Sequence, residues 1–360
     1  MRDTDLLIDN TKSLANLISS SLTETIISLD TEFLRERTYF PQLCLIQVAT
    51  PQLTAYVDCL ADLDLQPLLE YLLEPQRIWL LHSARQDLEV IHQHSDELPN
   101  QLIDSQIAAG LLGYAPQIGL QNLLEEVLNV KLDKTLARTN WADRPLPEPA
   151  IQYALDDVRY LSILWETLRS ELEHRNRLGW LEEDCHLALN APLVTPAVTL
   201  WARLKGLGSM EDSAKYAALS LVEWREKCAQ KLNRPRRWIL SDALLLRIAR
   251  TLPTTQKKLA SIAEMPQHLT ERFGAEILAA TTNHEQSERT SFIEKQLDKP
   301  RPDKNKLKQL QDDFKRRAQE LEIHPEILAT RKELSELIVG TASGRVAKGG
   351  WRWDVLSDLV

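Results

Sequence analysis

The chain has 360 residues, a net charge of −9, and 43% hydrophobic and 26% charged residues. Its length suits two or three domains and its composition is that of an ordinary globular protein. No apolar run approaches the roughly 18 residues of a membrane-spanning helix, and the acidic opening Met1-Arg2-Asp3-Thr4-Asp5 lacks the apolar core of a signal peptide.

The four cysteines (Cys44, Cys59, Cys185 and Cys228) form no Cys-x-x-Cys pair. That argues against a zinc knuckle and against a disulfide framework, and fits a reducing cytoplasm. No membrane association is expected. The charge is unevenly spread. Residues 1–190 carry 14 Lys+Arg against 30 Asp+Glu, a net −16, while residues 191–360 carry 29 against 22, a net +7. The basic half is the natural surface for a phosphate backbone.

In chain order, the first expected element is a buried strand over Thr25-Ile26-Ile27-Ser28-Leu29, β-rich and apolar. Asp30 and Glu32 follow it. Residues two apart on a strand share a face, so these carboxylates project side by side. Unpaired, they repel and resist desolvation; a hard divalent cation such as Mg²⁺ or Mn²⁺ removes both penalties. Leu43 to Ala49 and Thr54 to Val57 follow at hairpin-like spacing and complete an antiparallel meander.

Ile78 to Leu81 reads as a further strand, and a helix opens near Asp87 with Leu88, Val90 and Ile91. Asp104 reads as the N-cap of a helix over Gln106 to Leu112. Gly119 to Val130 is amphipathic, with Leu120, Leu123, Leu124, Val127 and Leu128 on one face. Ala150 to Leu168 reads as one long helix carrying Asp157, with Tyr153 one turn earlier on the same face. A phenol there can hold a water against a phosphate. Asp30, Glu32, Asp87 and Asp157 together read as a cage for two divalent metal ions that cut phosphodiester bonds.

Ala191 to Pro196 breaks the helical pattern as a linker. Beyond Ser213 the pattern is helical: Tyr216 to Lys231, Asp242 to Thr251 and Thr255 to Ile262. Arg234, Arg236, Arg237 and Trp238 fall in the first interhelix loop, where arginine and an aromatic suit backbone contact plus base stacking. The alternative is a solvated loop with Trp238 tucked into the bundle. Lys299 to Lys304 is a second linker, followed by helical sequence to Val360.

These residues carry a family resemblance. Leu29-Asp30-Thr31-Glu32-Phe33, Arg37 to Gln47, His82 to Leu88, Leu132-Asp133-Lys134, Arg138 to Leu146 and Tyr153 to Asp157 resemble bacterial ribonuclease D, a 3′→5′ exoribonuclease of the DEDD superfamily. The helical stretch after Ser213 resembles the HRDC domain. Tyrosine four before the last aspartate marks the tyrosine subfamily; Gln152 stands where the histidine subfamily has His. His82 stands where the wider superfamily often has Asn, and Ser83 where Ala is expected.

The resemblance implies a ribonuclease-H-like α/β exonuclease domain, a mixed sheet flanked by helices, followed by all-α HRDC-like bundles. The expected boundaries are a catalytic domain at residues 1–190, a linker at 191–209, an HRDC domain at 210–290 and a second HRDC-like bundle at 300–360. It implies Asp30, Glu32, Asp87 and Asp157 as ligands of two Mg²⁺ or Mn²⁺ ions, with Tyr153 positioning the attacking water. Tyr39, Phe40, Gln42, His82, Lys134, Arg138 and Arg144 are expected substrate contacts. The implied partners are tRNA precursors and small structured RNAs with 3′ tails, and the expected state is a monomer. Two rivals remain: an exonuclease on DNA, since discrimination rests on 2′-OH contacts, and an RNA-binding protein without activity. The chain has no Gly-x-x-x-x-Gly-Lys-Ser/Thr loop, which removes helicase activity.

Overall fold

The computed structural model describes residues 5–132, 139–282, 302–342 and 344–359. The chain divides into two compact units, one comprising residues 1–34, 42–193 and 301–360 and the other residues 35–41 and 194–300.

The first unit is built on β1 (Asp5–Ile8), β2 (Ile26–Leu34), β3 (Gln42–Ala49), β4 (Thr54–Asp58), β5 (Ile78–Leu81) and β6 (Gln101–Asp104). They form one mixed sheet in the order β1-β4-β3-β2-β5-β6. The meander read from the sequence is present: β2 pairs antiparallel with β3, and β3 with β4. β1 joins β4 in parallel, and β5 pairs in parallel with β2 and β6.

Helices cover both faces: α1 (Thr11–Ser21), α2 (Gln66–Leu72), α3 (Arg85–Ser95), α4 (Ser105–Leu111), α5 (Leu120–Leu128), α6 (Glu148–Arg159), α7 (Leu161–His174) and α8 (Leu178–Leu189). The strands alternate their side chains between these covers. Ile27 and Leu29 of β2 join Leu88 and Ile91 of α3 in the main core. Leu45 and Tyr56 on the other face pack under Ile151, Ala154 and Leu155 of α6. Asp104 caps α4 as its sequence position implies, accepting from the N–H groups of Gln106 and Ile107.

The single long helix expected over Ala150 to Leu168 is two helices, α6 and α7, meeting at Tyr160. No Gly or Pro marks the break. α6 packs on β2, β3 and β4, whereas α7 packs on α4, α5 and β5. Two different burial surfaces divide one helical pattern.

The second unit is helical: α9 (Ala197–Ala202), α10 (Asp212–Lys231), α11 (Arg236–Ile239), α12 (Asp242–Thr251), α13 (Gln256–Ala260) and α14 (Gln267–Thr282). α10 is its centre and packs against α9, α12 and α14 around Leu221, Leu245, Ile248, Leu259 and Ile277. Arg225, only 2% exposed, donates to the Leu240 carbonyl and the Asp242 carboxylate.

The terminal segment differs from expectation. α15 (Lys304–Glu320), α16 (Pro325–Leu328), α17 (Arg331–Ile338) and α18 (Trp351–Leu356) do not form a separate bundle; they group with the first unit. Leu307, Leu310, Phe314 and Ala318 make one stripe of α15 and join the main core. Arg177 donates to the carbonyls of Leu111 and Leu321, binding this segment to α4.

Candidate active site

β2 runs through the middle of the sheet and delivers Asp30 and Glu32 to one face near its C-terminal end. The register with β3 pairs Asp30 with Gln47 and Glu32 with Leu45, then shifts between Glu32 and Phe33. A bulge at that point re-aims the strand beside the site. α6 crosses the same face and brings Asp157. Carboxylate oxygens of Asp30, Glu32 and Asp157 all lie within 4.8 Å of one another.

Asp87 reaches the same cavity from the first turn of α3. It is 6% exposed, and its Oδ1 accepts from the Thr31 backbone N–H at 3.1 Å and the Thr31 hydroxyl at 2.6 Å. Thr31 lies between the two acidic residues of β2 and points to the opposite face. The turn before α3 is also held: the N–H groups of Ser83 and Ala84 donate to Asp104 at 3.0 and 2.9 Å. Ser83 adopts a φ of 63°, uncommon for a non-glycine residue. Asp104 thus caps α4 and fixes the turn that aims Asp87.

The electrostatics follow from four acids sharing a cavity of about 830 Å³. Burial, then the charges of Asp87, Asp157 and Glu32, push Asp30 well above the carboxylate range. Glu32 is raised to about 9 by burial and then by Asp157 and Asp87. Burial raises Asp87 to about 7 against the opposing Thr31 hydrogen bonds. Asp157 is raised to about 7 by burial and Asp156, against a hydrogen bond from Tyr153. Hard oxygen donors crowded this closely, with protonation as their alternative to repulsion, fit divalent cations.

Tyr153 lines the cavity one turn before Asp157. Its ring lies 6.3 Å from that of Trp141. Burial and the neighbouring carboxylates push its phenol further up, so it stays a neutral hydrogen-bonding group.

The remaining expected residues sit as follows. His82 lines the cavity, but both ring nitrogens are engaged, with the Ser105 hydroxyl and the Ile118 carbonyl at 2.9 Å each. Burial lowers its pKa. It braces the cavity wall and offers no spare donor in this arrangement. Arg144 is held by a forked pair with Asp58 at 2.7 and 2.6 Å and donates to the Cys44 and Trp141 carbonyls. Gln42 opens β3 and is exposed. Tyr39 and Phe40 group with the helical unit, where both backbone N–H groups donate to Asn233 and the Tyr39 hydroxyl donates to Glu226. Lys134 and Arg138 lie outside the described residues.

In the helical unit, Arg236 pairs with Glu226 and Arg237 with Asp242. Trp238 is 61% exposed, so it is not tucked into the bundle. The expected interhelix loop is partly ordered as α11. Sequence reading missed Arg85, Asn122, Thr139 and Trp141, which also line the cavity. Arg85 comes from α3, Asn122 from α5, and Thr139 and Trp141 from the connection before α6, so no single local pattern marks all four; only the Asp-Thr-Glu triplet signalled Thr31.

Comparison with known proteins agrees with this geometry. Residues 7–173 match the 3′–5′ exonuclease family and residues 217–281 the HRDC domain family. The chain is 33% identical to ribonuclease D of Desulfotalea psychrophila, over 98% of this chain and 96% of that one. It is 34% identical to ribonuclease D of Jannaschia sp., over 97% and 92%. The crystal structure of Escherichia coli RNase D, described as an exoribonuclease involved in structured RNA processing, superimposes with a TM-score of 0.83 at 26% identity, covering 98% of this chain and 96% of that one. An acidic cage on a mixed sheet, an adjoining HRDC domain and near full-length similarity place this chain in the ribonuclease D family of 3′–5′ exoribonucleases.

Proposed function

We propose that this protein trims the 3′ ends of tRNA precursors and other small structured RNAs, releasing 5′-mononucleotides. The observation that carries the reading is the meeting of Asp30, Glu32 and Asp157 within 4.8 Å, in a cavity shared with Asp87 and Tyr153. The four carboxylates would hold two divalent ions, Mg²⁺ or Mn²⁺. Such ions supply Lewis acidity at the scissile phosphate and offset the charge of the acids.

The chain's own groups do the rest. Tyr153, neutral and one turn from Asp157, orients the attacking water by a hydrogen bond. Thr31 and Asp104 hold Asp87 and its turn in place. His82 keeps the cavity wall closed against Ile118. Trp238, exposed four residues after Arg234, is a stacking platform for an RNA strand. Tyr39, Phe40, Gln42, Lys134, Arg138 and Arg144 remain candidate substrate contacts. A monomer in the cytoplasm is the proposed state; the four thiols are unpaired, as a reducing compartment keeps them. No helix among the described residues is long and apolar enough to cross a membrane.

The test is digestion of a 5′-labelled RNA with an unpaired 3′ tail, with Mg²⁺, with EDTA and with Asp157→Asn. A ladder shortening from the 3′ end, lost with EDTA and in the variant, is expected. Intact RNA in every lane, with binding still seen by gel shift, leaves an RNA-binding protein. A matched DNA oligonucleotide run alongside decides the substrate class.

A further inference from the structure

Gln47 carries a buried amide beside Asp30 of the acidic cluster. It sits in the middle of β3 and is 0% exposed. Neither its amide oxygen nor its amide nitrogen has a hydrogen-bond partner among the described residues. On one side it is paired in register with Asp30 of β2; on the other it is paired with Tyr56 of β4. Directly paired residues point to the same face of a sheet, with Cβ atoms roughly 4.5–5.5 Å apart. Its side chain therefore lies on the cage face beside Asp30, in the layer that α6 covers with Ile151, Ala154 and Leu155.

A buried amide with no partner costs roughly 1–3 kcal/mol for each unsatisfied group. Buried side-chain polar atoms are satisfied in the large majority of cases, so an exception calls for a physical reason. An apolar side chain of similar size would fit this apolar layer without that cost. A glutamine in this place holds an amide NH2 group, with two N–H donors, within a side chain's reach of the Asp30 carboxylate.

We infer that Gln47 is a positioning residue: its amide N–H group anchors the outer oxygen of Asp30 when the cage holds divalent cations, and so fixes the orientation in which Asp30 ligates. This rests on the metal-dependent reading of the site. Groups that orient a ligating carboxylate from behind change metal affinity by roughly 10–100-fold when removed. The inference goes beyond the carboxylates and Tyr153, because Gln47 touches neither substrate nor cation.

The test uses Gln47→Met and Gln47→Leu, which fill the space without polar atoms, and Asp30→Asn as the reference for a lost ligand. Thermal melts in EDTA come first. Both Gln47 variants are expected to melt no lower than wild type, since they remove an orphan amide. A clear drop in both overturns the inference, because it means that the amide is already held in the metal-free protein. Calorimetric titration with Mn²⁺ follows. The expected result is a dissociation constant at least about tenfold weaker in both variants. The Mn²⁺ concentration for half-maximal RNA trimming should rise by the same factor, and the rate at saturating Mn²⁺ should stay close to wild type. Wild-type affinity in both variants overturns the role of Gln47 and leaves the cage intact. Absence of Mn²⁺ binding in wild type, unchanged in Asp30→Asn, overturns the cage reading and this inference with it.

Discussion

Thr31 stands between the two acidic residues of β2 and holds a third acid from behind: its hydroxyl donates to Asp87 Oδ1 at 2.6 Å and its backbone N–H at 3.1 Å. Strand alternation makes this possible, because Asp30 and Glu32 face the cage while Thr31 faces the start of α3. Thr31→Val keeps the shape and the backbone bond but removes the hydroxyl. The buried Asp87 then has one donor fewer. A loss of about 1–2 kcal/mol is expected, with trimming slowed roughly tenfold or more at fixed metal concentration. Thr31→Ser, which keeps the hydroxyl, should restore most of the rate. Thermal melts and single-turnover trimming decide it; a Thr31→Val enzyme equal to wild type in both removes this role.

The cage should make the metal-free protein sensitive to pH in one direction. In the folded state Asp87 and Asp157 titrate near 7 and Glu32 near 9, above their ordinary values near 4. Raised acids favour the protonated fold, so stability falls as pH rises from about 4 through 7 to 9. Divalent cations held by the ionised acids would add a stabilisation that grows over the same window. Melting temperatures in EDTA and in Mn²⁺ at pH 5, 7 and 8.5 should diverge with pH. Asp157→Asn should raise the EDTA melting temperature at pH 8.5. Parallel curves would contradict the crowding of these groups.

The terminal segment is fastened by a pair 168 residues apart. Arg352, 1% exposed, donates to both oxygens of Asp184, which is 8% exposed. The Trp351 indole N–H also donates to Asp184 at 3.1 Å, and its ring stacks on Trp180 at 4.2 Å. Removing one partner of a buried pair leaves the other charge uncompensated, at a cost of roughly 3–5 kcal/mol. Asp184→Ala should fall in that range by denaturant unfolding and change the tryptophan fluorescence. Asp184→Leu with Arg352→Met should recover much of the loss, because neither charge is then stranded. Equal loss in the single and double variants contradicts this.

The clustered acids were legible as candidates in the sequence because each block is local. Asp30-x-Glu32 needs only a strand end, and Tyr153 with Asp157 needs only one helical turn. The meander and the Asp104 cap were legible for the same reason. β1 and β6 were not: β5, equally short, is apolar throughout, whereas β6 has only Leu102 and Ile103 between polar ends, and Leu6 and Leu7 of β1 are 40% and 42% exposed, which blurs any alternation. The break at Tyr160 and the attachment of residues 301–360 depend on which surfaces meet in space. Arg352 in the sequence gives no sign that its partner is Asp184. Gln47 read only as part of an apolar strand; its place beside Asp30 emerges from the register.

Asn233 fixes the connection between β2 and β3 to the helical unit. It adopts a φ of 45°, the left-handed region that asparagine tolerates better than most residues. Its Oδ1 accepts from the backbone N–H groups of Tyr39 and Phe40 at 3.1 and 3.0 Å. The Tyr39 hydroxyl donates to Glu226 at 3.1 Å and accepts from Gln230 at 3.1 Å. One side chain thus protects two amides of a seven-residue connection. Asn233→Gly keeps the backbone conformation and removes only the acceptor. Each lost bond contributes about 0.5–1.5 kcal/mol, so exchange at Tyr39 and Phe40 should speed up by roughly tenfold, since 1.4 kcal/mol is a factor of ten. Asn233→Ala adds the strain of a Cβ in the left-handed region and should also lower the melting temperature of the helical unit. Hydrogen exchange read on a peptide spanning residues 35–41 checks both. Unchanged protection in Asn233→Gly would show that the Tyr39 ring and hydroxyl, rather than Asn233, hold the connection.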